Sequence, residues 1–220
     1  MHLTTEERRR VDECVAAFEA ATGAQVVTAV AAKSDNYPEI PWKAFALGAS
    51  LAALARVIVE LARPDWHTGY ATLIDAVAIL GAGAALALLS IRVHGLARLF
   101  LPGARAEAEA RQHARDLFLR HEIFGTPART GVMILVSLFE RRVVILPDIG
   151  FQAELGEHGL EPVVAGMLPL LAAGRTADAL CHGVTAVGAL LAARGLHADG
   201  NEGAGLPNAV LEEDGDHARR

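Results

Sequence analysis

Three charged residues lie inside two long apolar stretches and are the first candidates for chemistry. Arg56 and Glu60 are four residues apart, a spacing that places both side chains on one face of a helix. Asp75 lies near the start of the next apolar stretch, and a two-helix hairpin would bring it to a comparable depth. An arginine between two carboxylates is neutralised locally, and such a cluster can pin two helices together or meet a partner protein. The alternative is that Arg56 and Glu60 extend to the nearer membrane surface.

The sequence carries few of the motifs by which enzymes are identified. It has no HExxH zinc motif, no Cys/His quartet, no glycine-rich phosphate loop and no GxSxG nucleophile elbow. Cys14 and Cys181 form neither a CxxC pair nor a disulfide framework, so we expect two reduced core cysteines. The formal net charge is -6, and no clustered basic face is visible. Binding to nucleic acid is therefore not expected.

The apolar residues are concentrated in the two stretches. They make up 52% of the 220 residues, while aromatic residues make up only 5%. Residues 70–91 are about long enough to cross a hydrocarbon core of roughly 30 Å, with Asp75 as the single charge. Residues 44–62 are a weaker candidate because each of their two charges costs up to about 3 kcal/mol at mid-membrane. Together these stretches predict a transmembrane helical hairpin over residues 44–92.

The flanks of the hairpin predict its orientation. Trp42 and Trp66 stand where interfacial aromatic residues are expected. The connecting loop carries Arg63 and Asp65, whereas the other end is more basic. Its basic residues are Lys43, Arg92, Arg98 and Arg105. By the positive-inside rule we expect a two-pass protein of the cell inner membrane, in contact with the lipid bilayer, with its soluble part in the cytoplasm.

Short apolar segments outside the hairpin predict strands. Residues 25–32 are rich in β-branched residues, as a buried strand would be. Residues 132–138 and 142–146 are too short to span a membrane as helices, and a polar turn separates them. They predict a tight antiparallel hairpin that is buried on both faces. Glu140 and Arg141 in the turn are expected to be solvated.

Helical periodicity fills most of the remaining chain. A cap at Thr4 or Thr5 and a stop at Gly23 delimit a first helix. Further helices are predicted over residues 104–121, 160–173 and 177–193. From residue 197 onward the sequence lacks periodicity and is rich in Gly and Asp, which predicts a disordered acidic tail over residues 197–220.

At three of these segments the sequence resembles the TPM domain family. The matching segments are EAATGAQVVTAVA at residues 19–31, RTGVMILVSLFERRVVILPDIGF at residues 129–151, and AAGRTADAL at residues 172–180. More narrowly, the chain is similar to bacterial membrane proteins of that family with a helical hairpin inserted after the first strand. The resemblance implies a three-layer α/β/α domain with a small mixed sheet.

The resemblance also implies how the domain is divided. Its first part would be residues 1–40 and its second part residues 104–195, joined in one sheet across the hairpin. Both apolar stretches must then cross the membrane to bring the two parts to one side. Arg129, Thr130 and Gly131 belong to the matching motif and are expected to be structural, with Gly131 allowing close backbone approach.

Carboxylates at the strand ends are the site residues that the resemblance implies. Members of the family have been assigned weak acid phosphatase activity or calcium binding, with acidic residues in these loops. Asp35 and Asp148 are the candidate catalytic residues here, and Asp35, Asp148, Glu154 and Glu157 are the candidate ligands for calcium or another divalent cation. Calcium needs six or more oxygen ligands, so the alternative is that these are solvated loop carboxylates. No other cofactor is expected.

The expected function is that of a membrane-tethered module without catalysis. Such a module would act in interaction, assembly or quality control and would bind a membrane protein partner. The alternative is a weak acid phosphatase or metal-dependent hydrolase that uses Asp35 and Asp148. A third reading is a small transport-associated subunit that uses Arg56, Glu60 and Asp75.

Overall fold

The computed structural model divides the chain into two compact units. It describes residues 3–62, 70–155, 159–196 and 209–213. One unit comprises residues 1–35 and 106–220, and the other comprises residues 36–105. We refer to them as the α/β unit and the helical unit.

Helices account for most of the described residues. In chain order they are α1 (Thr5–Thr22), α2 (Glu39–Ala62), α3 (Ala71–Arg92), α4 (His94–Leu99), α5 (Gly103–Arg120), α6 (Ile149–Leu155), α7 (Glu161–Ala172) and α8 (Thr176–Ala193). The strands are β1 (Val26–Ala31), β2 (Val132–Ser137), β3 (Arg142–Pro147) and β4 (Leu211–Glu213), and a 3-10 turn spans Ile123–Gly125.

The four strands form one mixed sheet in the order β3-β2-β1-β4. β1 and β2 are parallel, with Val26 opposite Val132, and β2 and β3 form an antiparallel hairpin. The predicted mixed α/β fold with a small mixed sheet is therefore confirmed. The prediction that both hairpin strands are buried on both faces was wrong for β3, which is only partly buried. Among the described strands, β3 lies at the edge of the sheet and has a neighbour, β2, on one side only.

Helices cover the sheet on both faces. Alternate side chains of β1 point to opposite faces, as the two-residue period of a strand requires. Val26 and Val30 pack into a core with residues of α1, α7 and α8. Val27 and Ala29 pack with Ala110, Ala114 and Leu117 of α5. This double cover explains why β1 and β2 are buried along their whole length.

The ends of α1 follow directly from its sequence. The Thr4 hydroxyl accepts from the Glu7 N–H, and the Glu7 carboxylate accepts from the Thr4 N–H. This reciprocal capping box satisfies backbone donors that the first turn leaves free. The helix ends at Gly23 with a φ of 69°, a conformation that glycine adopts without steric cost.

Part of the predicted disordered tail is a strand. Leu211–Glu213 forms β4, which pairs in parallel with Ala29–Ala31 of β1. The prediction of disorder was wrong for these residues, while 197–208 and 214–220 lie outside the described residues. Three residues are too few to show a strand period, and their partners lie far away in sequence.

Two long apolar helices make up most of the helical unit. α2 and α3 pack closely at two glycines. A Cβ atom added at Gly83 would lie 2.9 Å from the Phe45 ring. One added at Gly48 would lie 2.8 Å from the Ala82 carbonyl oxygen. These contacts show that two glycines allow the helix backbones to approach.

Three helices among the described residues are long and apolar enough to cross a membrane, namely α2, α3 and α8. Only 11% of the most apolar window of α2 or of α3 is buried within the protein, against 44% for α8. Leu180, Val184, Val187 and Leu191 of α8 belong to the core of the α/β unit. The apolar side of α8 is therefore used in packing, whereas α2 and α3 expose theirs.

Candidate functional site

Asp35 and Asp148 lie at opposite ends of the strands of the sheet. Asp35 follows the carboxyl end of β1, next to the end of β2. Asp148 follows β3, whose last residue, Pro147, lies opposite Val132 at the start of β2. Because each strand has six residues, the two ends of the strands are roughly 16 Å or more apart. The expected joint site of Asp35 and Asp148 is therefore not formed by this fold.

The Asp148 carboxylate is buried and engaged by neighbouring groups. Arg129 donates from Nε to Oδ2 at 2.6 Å and from Nη2 to Oδ1 at 2.9 Å. The Ile149 N–H at the start of α6 also donates to Oδ1, at 2.8 Å. Asp148 is only 4% exposed, so this bidentate pair fixes the loop before β2 to the end of β3. The hydrogen bond and the charge of Asp148 also raise the pKa of Arg129 above its ordinary value.

The other predicted metal ligands do not complete a site. Glu154 lies in α6, and Glu157 falls outside the described residues. Across the described part of the chain, His, Cys, Asp and Glu side chains form no group of three that could hold a metal ion.

The motif before β2 has a clear structural role. A Cβ atom on Gly131 would lie 2.4 Å from the Ile123 carbonyl oxygen, closer than packed atoms approach. The Thr130 N–H donates to the Thr126 hydroxyl at 2.9 Å. Arg129 has a φ of 56°, in the left-handed region, and its carbonyl accepts from the Gly150 N–H at 2.9 Å. These contacts agree with the expected structural reading of the motif.

Glu140 is buried, and the expectation that it is a solvated turn residue was wrong. It is only 7% exposed, and its carboxylate accepts from the Ser34 N–H at 2.9 Å and from the Ser137 hydroxyl. The hydroxyls of Ser34 and Ser137 lie 2.7 Å apart. The network joins the β2–β3 turn to the loop after β1 and satisfies a carboxylate that would be costly to bury alone. Arg141, with a φ of 53°, is exposed as expected.

The Ser34, Ser137 and Glu140 network lies at the carboxyl edge of two parallel strands, where α/β proteins often place sites. A carboxylate beside a hydroxyl is one element of nucleophilic catalysis, but a substrate must also be able to reach the hydroxyl. Ser137 donates to Glu140, but the two side chains are only 1% and 7% exposed, so the pair is closed to solvent. The arrangement is suited to anchoring the loop.

The three charged residues of the apolar helices are brought together. Arg56 Nη2 lies 2.5 Å from Glu60 Oε2, and Arg56 Nε lies 2.6 Å from Asp75 Oδ2. Arg56 therefore pairs along α2 and across to α3 at the same time. One positive and two negative charges leave the cluster with a formal charge of -1.

Cys14 and Cys181 are bonded to each other, so the expectation that they form no disulfide pair was wrong. Their disulfide joins α1 to α8, with the Cα atoms 5.6 Å apart. The signal available in the sequence was that each cysteine borders an apolar stripe of its helix, although 167 residues separate them. The bond lies in an open groove of about 740 Å³ between these helices. Other residues lining the groove include Arg10, Phe18, Thr22 and Gly188.

The fold defines the protein as a mixed α/β protein with a small four-stranded sheet and two exposed apolar helices. No protein-family model and no curated protein matches the chain. Its structure is similar to the NMR structure of the BA42 protein from the psychrophilic bacterium Bizionia argentinensis. The TM-score is 0.57 and the sequence identity is 13%, over 97% of each chain. A similarity at this identity establishes a shared fold and no shared function.

Proposed function

We propose that this chain is an integral membrane protein anchored by a transmembrane hairpin of α2 and α3. The observation that carries the proposal is the exposed apolar surface of these two helices. Fifteen large apolar side chains are exposed there: Trp42, Leu47, Leu51, Leu54, Val57, Ile58, Val59, Leu61, Leu73, Ile74, Val77, Leu80, Leu88, Leu89 and Ile91. A surface of this kind in water would favour aggregation, whereas a lipid bilayer solvates it.

The charge cluster supports a membrane position for the hairpin. An isolated charge in the hydrocarbon region is costly, and intramembrane charges are usually paired with one another. Arg56 has a carboxylate partner on each helix, which lowers the cost of burial. The same pairs fix the angular position of α2 against α3. The cluster serves as a pin within the hairpin in this proposal, so the transport-associated reading is not needed to explain it.

The α/β unit acts in our proposal as a non-catalytic module for interaction, assembly or quality control, of the TPM domain kind. The parallel pairing of β1 with β2 around the inserted helical unit, followed by the β2–β3 hairpin, agrees with the domain that the resemblance implies. The hydrolase alternative lacks comparable support. Asp148 is held by Arg129 and Ile149, and the sheet keeps it away from Asp35.

We further propose that the α/β unit faces the cytoplasm from the cell inner membrane. The basic residues Lys43, Arg92, Arg98 and Arg105 flank the hairpin at the end that joins this unit. Cytoplasmic reductants keep most protein thiols reduced. In this orientation the Cys14–Cys181 bond is expected to open in cells and to form on exposure to air.

Extraction and purification test the proposal in two steps. The full-length chain should remain in membranes washed with alkaline carbonate, and release into the supernatant would refute the spanning hairpin. Purified in mild detergent, it should then carry a stoichiometric membrane protein. A variant whose residues 44–92 are replaced by an unrelated two-helix hairpin should stay in the membrane and lose that protein. A monomer without any partner would argue strongly against the binding role.

A further inference from the structure

We infer that the β1 edge of the α/β unit is a binding slot for an extended peptide of a partner protein. The peptide that fits carries two apolar residues followed by two carboxylates, and β4 shows how it binds. This inference rests on the proposed role of the chain as a binding module and adds the chemistry of the partner.

The backbone of the slot is the outer edge of β1. Leu211, Glu212 and Glu213 lie opposite Ala29, Val30 and Ala31 in parallel register. Beyond the last pair, the Ala32 N–H donates to the Glu213 carbonyl at 3.0 Å. Main-chain hydrogen bonds of this kind accept any sequence, as in other domains that add a peptide strand to a sheet edge.

Side chains supply the specificity, because successive residues of a strand point to opposite faces. Val210 packs against the core beneath α1 and α8, whereas Leu211 packs against the core beneath α5. Glu212 then returns to the α1 face and Glu213 to the α5 face. Each face of the slot therefore receives one apolar side chain followed by one carboxylate.

The first carboxylate is held by the start of α1. Arg8 donates from Nε and Nη2 to the two oxygens of Glu212, both at 2.9 Å. The Leu3 N–H donates to the same carboxylate at 3.1 Å. A bidentate guanidinium is selective for the planar carboxylate, and Glu212 is only 13% exposed there.

The second carboxylate is held by α5. Arg120 Nη1 donates to Glu213 Oε1 at 2.9 Å, and His113 Nε2 lies 3.1 Å from Oε2. His113 is buried, while Arg120 is half exposed. The slot thus has a cationic group on each face, placed one residue apart along the bound strand.

The tail of the chain is the built-in occupant that a partner must displace. β4 is short, lies at the sheet edge and is tethered to α8 through residues 197–208. A tether of about this length gives an effective concentration in the millimolar range, so an untethered peptide competes poorly against it. A partner with the same pattern, presented by the proposed membrane complex, gains the same advantage and can replace β4.

A peptide-binding experiment on the full-length chain in detergent tests the inference. The probe is the fluorescein-labelled peptide Asn-Ala-Val-Leu-Glu-Glu-Asp, and the protein carries Glu212→Lys and Glu213→Lys so that its own tail is repelled from the slot. Saturable binding is expected by anisotropy, with at least about tenfold weaker binding to the unaltered chain, whose tail is tethered. Equal binding to both proteins, or to a peptide of reversed sequence, would overturn the inference.

Matched variants separate the slot from general charge attraction. In the same background, Arg8→Ala or Arg120→Ala should weaken binding about threefold or more, as should a probe with Gln in place of both Glu. Arg9→Ala is the control, since Arg9 pairs with Glu6 and Glu13 of its own helix. A loss of affinity with Arg9→Ala equal to that with Arg8→Ala would contradict the assignment.

Two further readouts complete the test. A dimer of the unaltered chain that disappears with Glu212→Lys and Glu213→Lys would show exchange of tails between copies, and would overturn the assignment to a partner protein. Retention in carbonate-washed membranes does not depend on the slot. Failure of peptide binding would therefore leave the membrane proposal standing, and failure of retention would leave the slot standing.

Discussion

Gly131 stands at the entry to β2, where the backbone of Ile123 passes close to it. A methyl group at this position would meet the Ile123 carbonyl oxygen at 2.4 Å, and this oxygen belongs to the backbone and cannot turn away as a flexible side chain would. The absence of a side chain is therefore a packing requirement.

The first prediction concerns this contact. Gly131→Ala should lower the free energy of unfolding by about 1–3 kcal/mol, the usual cost of overpacking. The measurement is chemical unfolding in detergent, followed by circular dichroism. Gly125→Ala is the matched control because a Cβ atom there meets no heavy atom within 4 Å. Equal losses for the two variants would show that the Ile123 contact is unimportant.

Asp178 of α8 accepts from two guanidinium groups, and the one from Arg10 connects α8 to α1. Arg175 Nε donates to Oδ2 at 2.7 Å, and Arg10 Nη1 donates to Oδ1 at 2.9 Å. The hydrogen bond from Arg175 and then the charges of both arginines lower the pKa of Asp178 below its ordinary value. Because its pKa is lower in the folded state, ionised Asp178 stabilises the folded state at pH values above its ordinary pKa of about 3.9. This stabilisation is lost as the pH falls through the pKa of the folded state.

The second prediction follows from the lowered pKa of Asp178. The urea midpoint of the unaltered protein should fall more steeply between about pH 5 and pH 3 than the midpoint of Asp178→Asn. The pKa of Glu6 is also lowered, mainly by its hydrogen bond with Arg9, and this contribution is common to both proteins. Parallel pH profiles for the two proteins would contradict the role of Asp178.

Sequence reasoning at the residue scale succeeded where the cause is local. The cap at Thr4 and the close approach at Gly131 depend on neighbouring residues, and both are found. Glu140 was misread because its partner Ser34 is 106 residues away. The Cys14–Cys181 bond was not predicted for the same reason, since the spacing of residues in the sequence does not show which helices are in contact.

α2 and α3 approach each other at two glycines, whereas a third glycine lies away from the contact. Gly83 faces the Phe45 ring, but a Cβ atom at Gly81 meets no heavy atom within 4 Å. Both residues belong to small-residue spacings that the sequence alone cannot rank.

The third prediction uses this difference. Gly83→Leu should force the helices apart and destabilise the hairpin by about 1–3 kcal/mol, because the Phe45 ring and backbone occupy the space. Gly81→Leu, with the same added volume, should cost much less. Unfolding of the helical signal by sodium dodecyl sulfate measures both. A larger loss for Gly81→Leu would place the contact on the wrong helix face.

Element prediction from sequence depended on the length of the periodic pattern. The positions of α1, β1 and the β2–β3 hairpin were predicted because each has a cap, a β-branched run or two apolar runs around a turn. β4 could not be predicted, because three residues have no period of their own. They are held by residues of α1 and α5.

The whole molecule combines an α/β unit with an inserted helical unit. The membrane orientation that we propose for it has a chemical consequence. In the orientation that we propose, the α/β unit lies in the cytoplasm, where the Cys14–Cys181 bond would be exposed to reductants. The redox state of Cys14 and Cys181 in cells therefore indicates on which side of the membrane the α/β unit lies.

The fourth prediction is that both cysteines are thiols in living cells and form the disulfide after purification in air. Acid quenching followed by alkylation with a bulky maleimide measures the two states as a gel shift. Cys14→Ser gives the position of a chain that cannot form the bond. A disulfide already present in quenched cells would place the α/β unit on the oxidising side and reverse the proposed orientation.

Cysteine labelling from both sides of the membrane tests the central claim, the two-pass hairpin, most directly. In a chain with Cys14→Ala and Cys181→Ala, single cysteines are introduced at Ala20 in α1, at Ala108 in α5 and at Thr68, which lies outside the described residues. Intact cells and inverted vesicles are then treated with an impermeant maleimide. The account predicts that positions 20 and 108 label from the cytoplasmic side and position 68 from the opposite side. Labelling of 20 and 108 from opposite sides, or of all three from one side, would contradict it.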